Sequence, residues 1–260
     1  MDAQLIEALG DELYQAMVAR TVVEPLTSRH PDITIEDAYH VQERMLSRRL
    51  QAGERVVGKK IGVTSAAVMN MLGVYQPDFG YLLDGMICST GEAIDGSTLI
   101  QPKAEGEIAF VLKRDLMGPG VSNADVLSAT ECVMPCFEIV DSRIRDWKIK
   151  IQDTVADNAS CGVFVLGDCA VDPRRIDLST CGMVFEKNGE IIGTGAGAAA
   201  LGSPVNAVAW LANTLGRLGI GLKAGEVILS GALAAMAPAK AGDNFRVSFG
   251  GLGSCSVRFR

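Results

Sequence analysis

From about residue 85 to its end, the chain consists mainly of short apolar runs separated by glycine and other turn residues. Runs of this length are typical of buried or half-buried strands. The Asn188-Gly189 pair between two of them predicts a tight hairpin. The predicted strands cover residues 104–113, 134–140, 162–166, 182–187, 190–194, 226–230, 244–249 and 254–259. Because many of these strands follow one another directly, the sequence favours a β-rich roll or sandwich over a doubly wound sheet.

The first 84 residues have a different pattern. Apolar residues at helical spacing predict helices over 4–20 and from Thr34, an N-cap, to about Leu50. A strand over 55–63, a short helix capped by Ser65 and a turn at 76–80 follow. Further helices are predicted over 123–132 and 204–218. We therefore predict an α+β fold with a small N-terminal helical or αβ lobe, residues 1–84, and a β-rich mixed roll or sandwich domain, residues 85–260.

Charge and cysteine content exclude several classes of partner. The chain has 24 Lys and Arg against 31 Asp and Glu, a net charge of −7, and no long basic run. It therefore lacks the electrostatic footprint of a protein that binds nucleic acid or an anionic membrane. The acidic N-terminal segment and the absence of a long apolar run predict a cytoplasmic protein. The seven scattered cysteines are expected to be reduced and mostly buried, because their spacing does not match a zinc site.

Two glutamates in the predicted strand 104–113 are the most informative residues. Glu105 and Glu107 are two positions apart, so their side chains leave an otherwise apolar strand on the same face. A second apolar strand, 134–140, carries a single glutamate, Glu138. Three carboxylates can form an oxygen-rich site for Mg²⁺ or Mn²⁺. An exposed, solvated face is the alternative interpretation of the Glu-x-Glu pair, and the pattern leaves both open.

Three other segments carry polar residues in apolar surroundings. Lys59 and Lys60 are adjacent in the strand over 55–63, so one can point inward while the other is solvated. The simpler alternative is that both are surface lysines on an edge strand. Asp78 follows a proline in the predicted turn, which is ordinary turn chemistry. A polar loop is predicted over 141–162, directly after the strand that carries Glu138.

Six segments, taken in order, resemble a known family. They are GKKIGVT at 58–64, QPDFG at 76–80, AEGEIA at 104–109, DSRIRDW at 141–147, DTVADNASCG at 153–162 and GLGS at 251–254. Together they resemble the 2-oxopent-4-enoate hydratases, also called 2-hydroxypenta-2,4-dienoate hydratases, of the fumarylacetoacetate hydrolase superfamily. The resemblance extends from the first predicted helix to the last predicted strand.

This resemblance implies a β-rich catalytic domain behind a small N-terminal lobe, a cytoplasmic homo-oligomer, and a role in degrading aromatic rings after meta-cleavage. It also implies a divalent ion, Mg²⁺ or Mn²⁺, with Glu105, Glu107 and Glu138 as its three carboxylate ligands. Lys60 matches the active-site lysine of the family, and Lys59 is then expected to face away.

The implied reaction is the addition of water to a small anionic dienoate, 2-hydroxypenta-2,4-dienoate, giving 4-hydroxy-2-oxopentanoate. Lys60 and Asp78 are the candidates for moving the proton and directing the water. Ser160 and the backbone around Leu72 match positions that contact the carboxylate end of the substrate.

Two alternatives stay open. The chain could instead be a 4-oxalocrotonate decarboxylase, which shares the metal site and the substrate type, or mainly a structural partner in a complex with that decarboxylase. The decarboxylases generally carry an apolar residue where this sequence has Asp78, and DWK at 146–148 also looks more like a hydratase. Both features favour hydration.

Overall fold

The protein folds into two β-sheets packed face to face, with helices grouped beside the larger sheet. The structure is a computed structural model that describes the backbone of residues 1–260 and every side chain except those of Ala67, Met71 and Leu72. The α+β class with a β-rich roll is confirmed.

The helices begin and end close to the predicted positions in the N-terminal part. The predicted helices over 4–20 and 34–50 are confirmed, and a capping box between Thr34 and Asp37 starts the second. The prediction for 123–132 is too long, because Thr130 already begins a strand. The helices are α1 Ala3–Ala19, α2 Leu26–Arg29, α3 Ile35–Gln51, α4 Ala66–Leu72, α5 Asn123–Ala129, α6 Ile151–Ala156 and α7 Pro204–Arg217.

The strands extend from residue 56 to residue 259. They are β1 Val56–Gly62, β2 Asp78–Leu83, β3 Ala93–Ile94, β4 Pro102–Leu112, β5 Thr130–Asp141, β6 Cys161–Leu166, β7 Gly182–Lys187, β8 Glu190–Ala196, β9 Val227–Leu229, β10 Ala237–Pro238, β11 Asn244–Phe249 and β12 Gly253–Phe259. In the larger sheet the order is β2-β1-β9-β4-β5-β6, with β10 paired to β4. The smaller sheet has the order β3-β12-β11-β7-β8.

The apolar core between the two sheets determines how closely β4, the strand that carries Glu105 and Glu107, approaches the smaller sheet. Phe137 of the larger sheet packs against Phe185 and Phe245 of the smaller sheet, with ring centroids 5.8 and 6.4 Å away. Gly106 also faces this core. A Cβ on Gly106 would lie 2.5 Å from a side-chain carbon of Val247, so only glycine lets the sheets approach this closely.

A second apolar cluster joins α1 and α3 to α6. Leu13, Val41 and Met45 pack with Ile151 and Val155. This contact places α6 beside the larger sheet although the segment that contains it was predicted as a loop. Within the described chain, every helix is too short or too polar to span a bilayer.

The turn predicted at 76–80 is wrong in its second half. Asp78 begins β2 and pairs with Gly62 of β1, and the whole strand is buried. Pairing with β1 therefore overrides the local turn preference of the Pro-Asp sequence. Both strands lie before residue 85 and belong to the same sheet as β4 and β5. The division at residues 84 and 85 stays a prediction, and the larger sheet extends across it.

Candidate active site

Three carboxylates meet on one face of the larger sheet. Glu105 and Glu107 share a face of β4, as predicted, and Glu138 lies directly opposite Glu105 in the antiparallel pairing of β4 with β5. One carboxylate oxygen from each residue lies within 4.8 Å of the others. Glu107 and Glu138 are buried and Glu105 is half-buried. The interpretation of the Glu-x-Glu pair as an exposed, solvated face is therefore wrong.

The oxygens of this triad have the chemistry of a cation site. In the described part of the chain, Oε1 of Glu107 and both oxygens of Glu138 lack a hydrogen bond of good geometry, although the Lys60 ammonium lies 3.2 Å from one oxygen of Glu138. The second oxygen of Glu107 accepts a hydrogen bond from the backbone N–H of Gly231, at 2.8 Å. Buried carboxylate oxygens without donors are costly unless a cation or a proton satisfies them. Three oxygen donors at this spacing fit a hard divalent ion.

Without a cation, the triad favours the protonated state. Burial and the charge of Glu138 raise the pKa of Glu105 to about 7. Burial and the charges of Glu138 and Glu105 raise the pKa of Glu107 well above its ordinary value. Like charges repel one another in a desolvated site. A divalent ion would therefore neutralise the carboxylate charges that bound protons neutralise in its absence.

We expect the stability of the metal-free protein to fall as the pH rises. A carboxyl whose pKa is raised by folding stabilises the folded state fully below its unfolded pKa, near 4.5, and this contribution is lost as the pH passes the folded value of about 7 for Glu105. The loss is on the order of 2 kcal/mol between pH 5.5 and pH 8. Thermal unfolding with a chelator and with Mg²⁺ measures it.

The gain in melting temperature on adding Mg²⁺ should grow from pH 5.5 to pH 8, because the ion binds the ionised ligands. A gain that is the same at both pH values would mean that the triad is already fully ionised without metal.

Two adjacent lysines of β1 point to opposite sides of the sheet. Lys60 Nζ lies 3.2 Å from an oxygen of Glu138 and lines the cavity beside the triad. Burial lowers the pKa of Lys60, but the charges of Glu138, Asp78 and Glu105 outweigh burial and raise it above the ordinary value. Lys60 is therefore a permanent cation in this site.

Lys59 faces away from the site, as predicted, but it is not solvated. Its ammonium lies 2.7 and 2.8 Å from the two oxygens of Glu226 and is buried. The interpretation of both lysines as surface residues is wrong, because β1 lies between β2 and β9 and both of its faces are covered.

Asp78 enters the site from β2. Its carboxyl is buried, and neither oxygen has a hydrogen-bond partner among the described residues. Burial raises the pKa of Asp78 to about 6, although the charge of Lys60 opposes the rise. A Cβ on Gly62 would lie 2.2 Å from Oδ1 of Asp78 and 3.2 Å from Nζ of Lys60. Glycine at this position therefore lets the acid and the lysine lie side by side.

Ser160 lies on a strained turn beside the cavity. Asn158, Ala159 and Ser160 have successive positive φ angles of 53°, 50° and 51°. Residues other than glycine rarely adopt this backbone conformation. Asn158 holds the turn, since its side-chain amide donates to the carbonyl of Tyr81 and accepts from its N–H. The hydroxyls of Ser160 and Thr154 are 3.2 Å apart and both residues line the cavity.

A buried ion pair holds this turn against the end of β5. The Arg143 guanidinium donates to a carboxylate oxygen and the backbone carbonyl of Asp157 and to the carbonyls of Asp141 and Cys161. Arg143 and Asp157 are both buried. The pair lies inside the segment that the sequence predicted as a polar loop.

The cavity lined by Lys60, Asp78, Glu105, Glu107 and Ser160 has a volume of about 490 Å³. The sequence did not predict two parts of its wall, which are Trp147 and residues 232–236 after β9. The Ser230-Gly231 pair directly after the apolar strand was the available signal, because small residues there let the backbone N–H reach Glu107. Leu72 ends α4, and the prediction that the backbone around it contacts the substrate stays untested.

Known proteins resemble this chain in both sequence and structure. Residues 87–260 match the fumarylacetoacetate (FAA) hydrolase C-terminal family. The structure superposes on that of 4-oxalocrotonate decarboxylase from Pseudomonas putida G7, complexed with magnesium and adipate, with a TM-score of 0.96 and 40% sequence identity over 100% of this chain and 99% of that chain. Together with the triad, this match supports a site for a divalent metal ion.

Two relatives of higher identity are named as hydratases. A 2-hydroxypent-2,4-dienoate hydratase from Pseudomonas putida is 75% identical over 221 residues, which is 85% of this chain and 100% of the relative. A 2-hydroxyhexa-2,4-dienoate hydratase from Comamonas testosteroni is 59% identical over 260 residues, which is 99% of this chain and 98% of the relative. The chain therefore belongs to the fumarylacetoacetate hydrolase family and, within it, to the group of 2-hydroxypentadienoate hydratases.

Proposed function

We propose that the protein is a metal-dependent hydro-lyase of the meta-cleavage degradation of aromatic compounds. It adds water to 2-hydroxypenta-2,4-dienoate, the enol form of 2-oxopent-4-enoate, and gives 4-hydroxy-2-oxopentanoate. The observation that carries the proposal is a cavity lined by Glu105, Glu107, Lys60 and Asp78, with Glu138 completing the carboxylate triad behind it. The chain is also 75% identical to a protein named as a hydratase of this dienoate.

Glu105, Glu107 and Glu138 would hold the metal ion, which we propose to be Mg²⁺ or Mn²⁺ because the donors are all oxygens. When bound, the ion supplies a positive charge that stabilises negative charge on the 2-oxygen and the carboxylate of the substrate. Together with Lys60, the ion would offset most of the negative charge of the carboxylates, and this favours the binding of a small anion.

Asp78 and Lys60 are proposed to divide the proton chemistry. The pKa of Asp78, about 6, lets the carboxyl both take and give a proton near neutral pH. It would take the proton of the 2-hydroxyl and deliver one to C5, which turns the dienol into an α,β-unsaturated ketone. Water then adds with its oxygen at C4 and a proton at C3. Lys60 stays protonated and orients the ionised Asp78 and the incoming water.

The carboxylate end of the substrate is proposed to bind at the strained turn. The Ser160 hydroxyl lines the cavity next to that of Thr154, so two donors are available there. The backbone around Leu72 remains the second proposed contact. A homo-oligomer and a complex with 4-oxalocrotonate decarboxylase stay predictions, which light scattering of the protein alone and after mixing with that enzyme would test.

The decarboxylase activity is the second candidate because the superposition with 4-oxalocrotonate decarboxylase covers the whole chain. Its substrate has two carboxylates, and loss of CO₂ needs an electron sink but no placed water. A buried acid with a pKa of about 6 at position 78 favours the hydratase, since water addition needs proton transfer at carbon.

Incubation of the purified protein and Mg²⁺ with each substrate separates these candidates. We expect 2-hydroxypenta-2,4-dienoate to lose its dienol absorbance, with 4-hydroxy-2-oxopentanoate identified by NMR. Release of CO₂ from 2-oxohex-3-enedioate without hydration of the dienoate would support the decarboxylase. Failure to bind metal or to convert either substrate would support a structural role.

The two lysines of β1 provide a matched pair of variants. Lys60→Gln is expected to lower kcat about a hundredfold, because the cation beside Asp78 is lost. Lys59→Gln is expected to lower stability, since Glu226 is left as a buried charge without its partner, while kcat stays within about threefold. Steady-state kinetics and urea unfolding of both variants measure this contrast. Equal losses of kcat would contradict the assigned orientation.

A further inference from the structure

Trp147 is held at the cavity wall by an unfavourable backbone. Asp146 and Trp147 have successive φ angles of 57° and 56°. Positive φ is a genuine outlier for a residue as bulky as tryptophan. Strained backbones of this kind occur where the surrounding structure over-determines them, and they cluster at ligand sites. The half-buried indole lines the same cavity as Lys60 and the carboxylates.

Gln101 holds the strained turn with both its side chain and its backbone. Its amide nitrogen donates to the carbonyls of Ser142 and Ile144, at 2.9 and 2.8 Å. Its amide oxygen accepts from the N–H of Asp146, at 2.9 Å. The indole N–H of Trp147 donates to the Gln101 carbonyl, at 3.0 Å. These bonds fix both the turn and the rotation of the indole.

Lys103 adds a cation–π contact to this arrangement. Its ammonium lies 4.2 Å from the centroid of the Trp147 ring. Lys103 shares the face of β4 that carries Glu105, but it does not line the cavity. The indole is therefore presented to the cavity by contacts that do not involve the proposed catalytic groups.

The lining of the cavity combines a few charged residues with a larger number of apolar ones. The charged residues of its described lining are Lys60, Asp78, Glu105 and Glu107, which all belong to the proposed metal and proton machinery. Apart from small residues and hydroxyls, most of the remaining lining is apolar. The larger apolar residues include Val63, Val68, Val140, Trp147, Ile149 and Met236. A volume of about 490 Å³ lies in the range that holds drug-sized ligands and exceeds what a five-carbon dienoate fills.

We infer that these apolar residues form a subsite for an uncharged alkyl group on C5 of the substrate, and that Trp147 limits its length. The inference rests on the proposed function, because the substrate of that function has a C5 end that must face away from its carboxylate. A second carboxylate at this end would be desolvated among apolar side chains. A methylene group that fits such a pocket changes specificity about 10- to 200-fold.

Saturated 2-oxo acids test the subsite without any turnover, because they have no double bond to hydrate. In the presence of Mg²⁺, calorimetry should show Kd falling at least threefold per added carbon from 2-oxobutanoate to 2-oxohexanoate, and rising again for 2-oxooctanoate. The dicarboxylate 2-oxoadipate should bind at least tenfold more weakly than 2-oxohexanoate. Tighter binding of 2-oxoadipate would overturn the inference and assign the distal end to a carboxylate that pairs with Lys103.

Tryptophan variants locate the effect. Trp147→Ala should bind 2-oxooctanoate at least tenfold more tightly than the wild type does, and Trp147→Phe should lie between them. Trp210→Phe, in α7 and outside the cavity, is the matched control and should keep the wild-type length profile. Because the chain has two tryptophans, Trp147 fluorescence in Trp210→Phe should respond to 2-oxohexanoate. An unchanged length profile in folded Trp147→Ala and Trp147→Phe would overturn the inference.

Kinetics with the dienoates separates this inference from the proposed function. The wild type should hydrate 2-hydroxyhexa-2,4-dienoate at least as efficiently as the five-carbon substrate, with the difference in KM. A wild type that shows the length profile but hydrates neither dienoate would retain the subsite and reject the hydratase. Hydration of both dienoates by a wild type that shows no length profile would retain the hydratase and reject the subsite.

Discussion

Replacing Glu107 with glutamine is expected to lower metal-dependent hydration about a thousandfold and, in the same protein, to raise the stability of the metal-free form. The variant loses one of three anionic ligands, and stabilisation by a metal ion contributes several kcal/mol to such reactions, about 1.4 kcal/mol for each factor of ten in rate. The metal-free form gains stability at pH 8, because a neutral amide replaces a buried carboxyl whose charged form is disfavoured by burial and by the charges of Glu138 and Glu105. Glutamine can still accept the hydrogen bond from Gly231.

Kinetics with Mg²⁺, and thermal unfolding with a chelator, measure the two effects in one variant. Glu131→Gln is the matched control, since Glu131 is an exposed glutamate of the same sheet, 3.5 Å from Lys113. It should leave both quantities nearly unchanged. The ligand assignment would be contradicted if Glu107→Gln kept its activity in the chelator, or if its metal-free form were less stable than the wild type.

Replacing Arg143 with methionine is expected to lower the free energy of unfolding by about 3–5 kcal/mol, a large share of the stability of most domains. The variant leaves the Asp157 carboxylate buried without its partner and removes donors to the carbonyls of Asp141, Asp157 and Cys161. Urea unfolding followed by circular dichroism measures the loss. Because the turn 158–160 is tied to this pair, KM should also rise through misplacement of Ser160.

Arg145→Met is the control two residues away. Arg145 forms an exposed ion pair with Glu24, and such pairs contribute between about 0 and 1 kcal/mol. In the double variant Arg143→Met/Asp157→Asn, the loss in the free energy of unfolding should be smaller than the sum of the losses in the two single variants. The double variant no longer contains a buried Asp157 charge without a partner. A loss of less than about 1 kcal/mol for Arg143→Met alone would mean that water replaces the guanidinium.

The sequence predicted those features of the site that depend on the geometry of a single strand. Side chains alternate along any strand, so the spacing of Glu105 and Glu107 alone placed both on one face. The same rule predicted that Lys59 and Lys60 face opposite ways, but not that both are buried. Burial depends on which strands flank β1, and the flanking strands come from distant parts of the chain.

Asp78 and Trp147 show where local patterns mislead. Pro-Asp is typical of a turn, yet pairing with β1 places Asp78 on a buried strand next to Lys60. Trp147 lies in a polar segment, and nothing in its neighbours indicates that Gln101, far away in sequence, holds it at the cavity wall. In both cases contacts distant in sequence outweigh local preference.

By itself the sequence determined the β-rich class, the shared face of Glu105 and Glu107, and the motifs that place the chain in its family. These depend on backbone periodicity and residue identity, which are local properties. Only the tertiary structure decided that the register of β4 with β5 places Glu138 opposite Glu105, and that Asp78 and Lys60 line one cavity with Glu105 and Glu107. Strand register is set by pairing and packing over the whole sheet, so it cannot be read from any single segment.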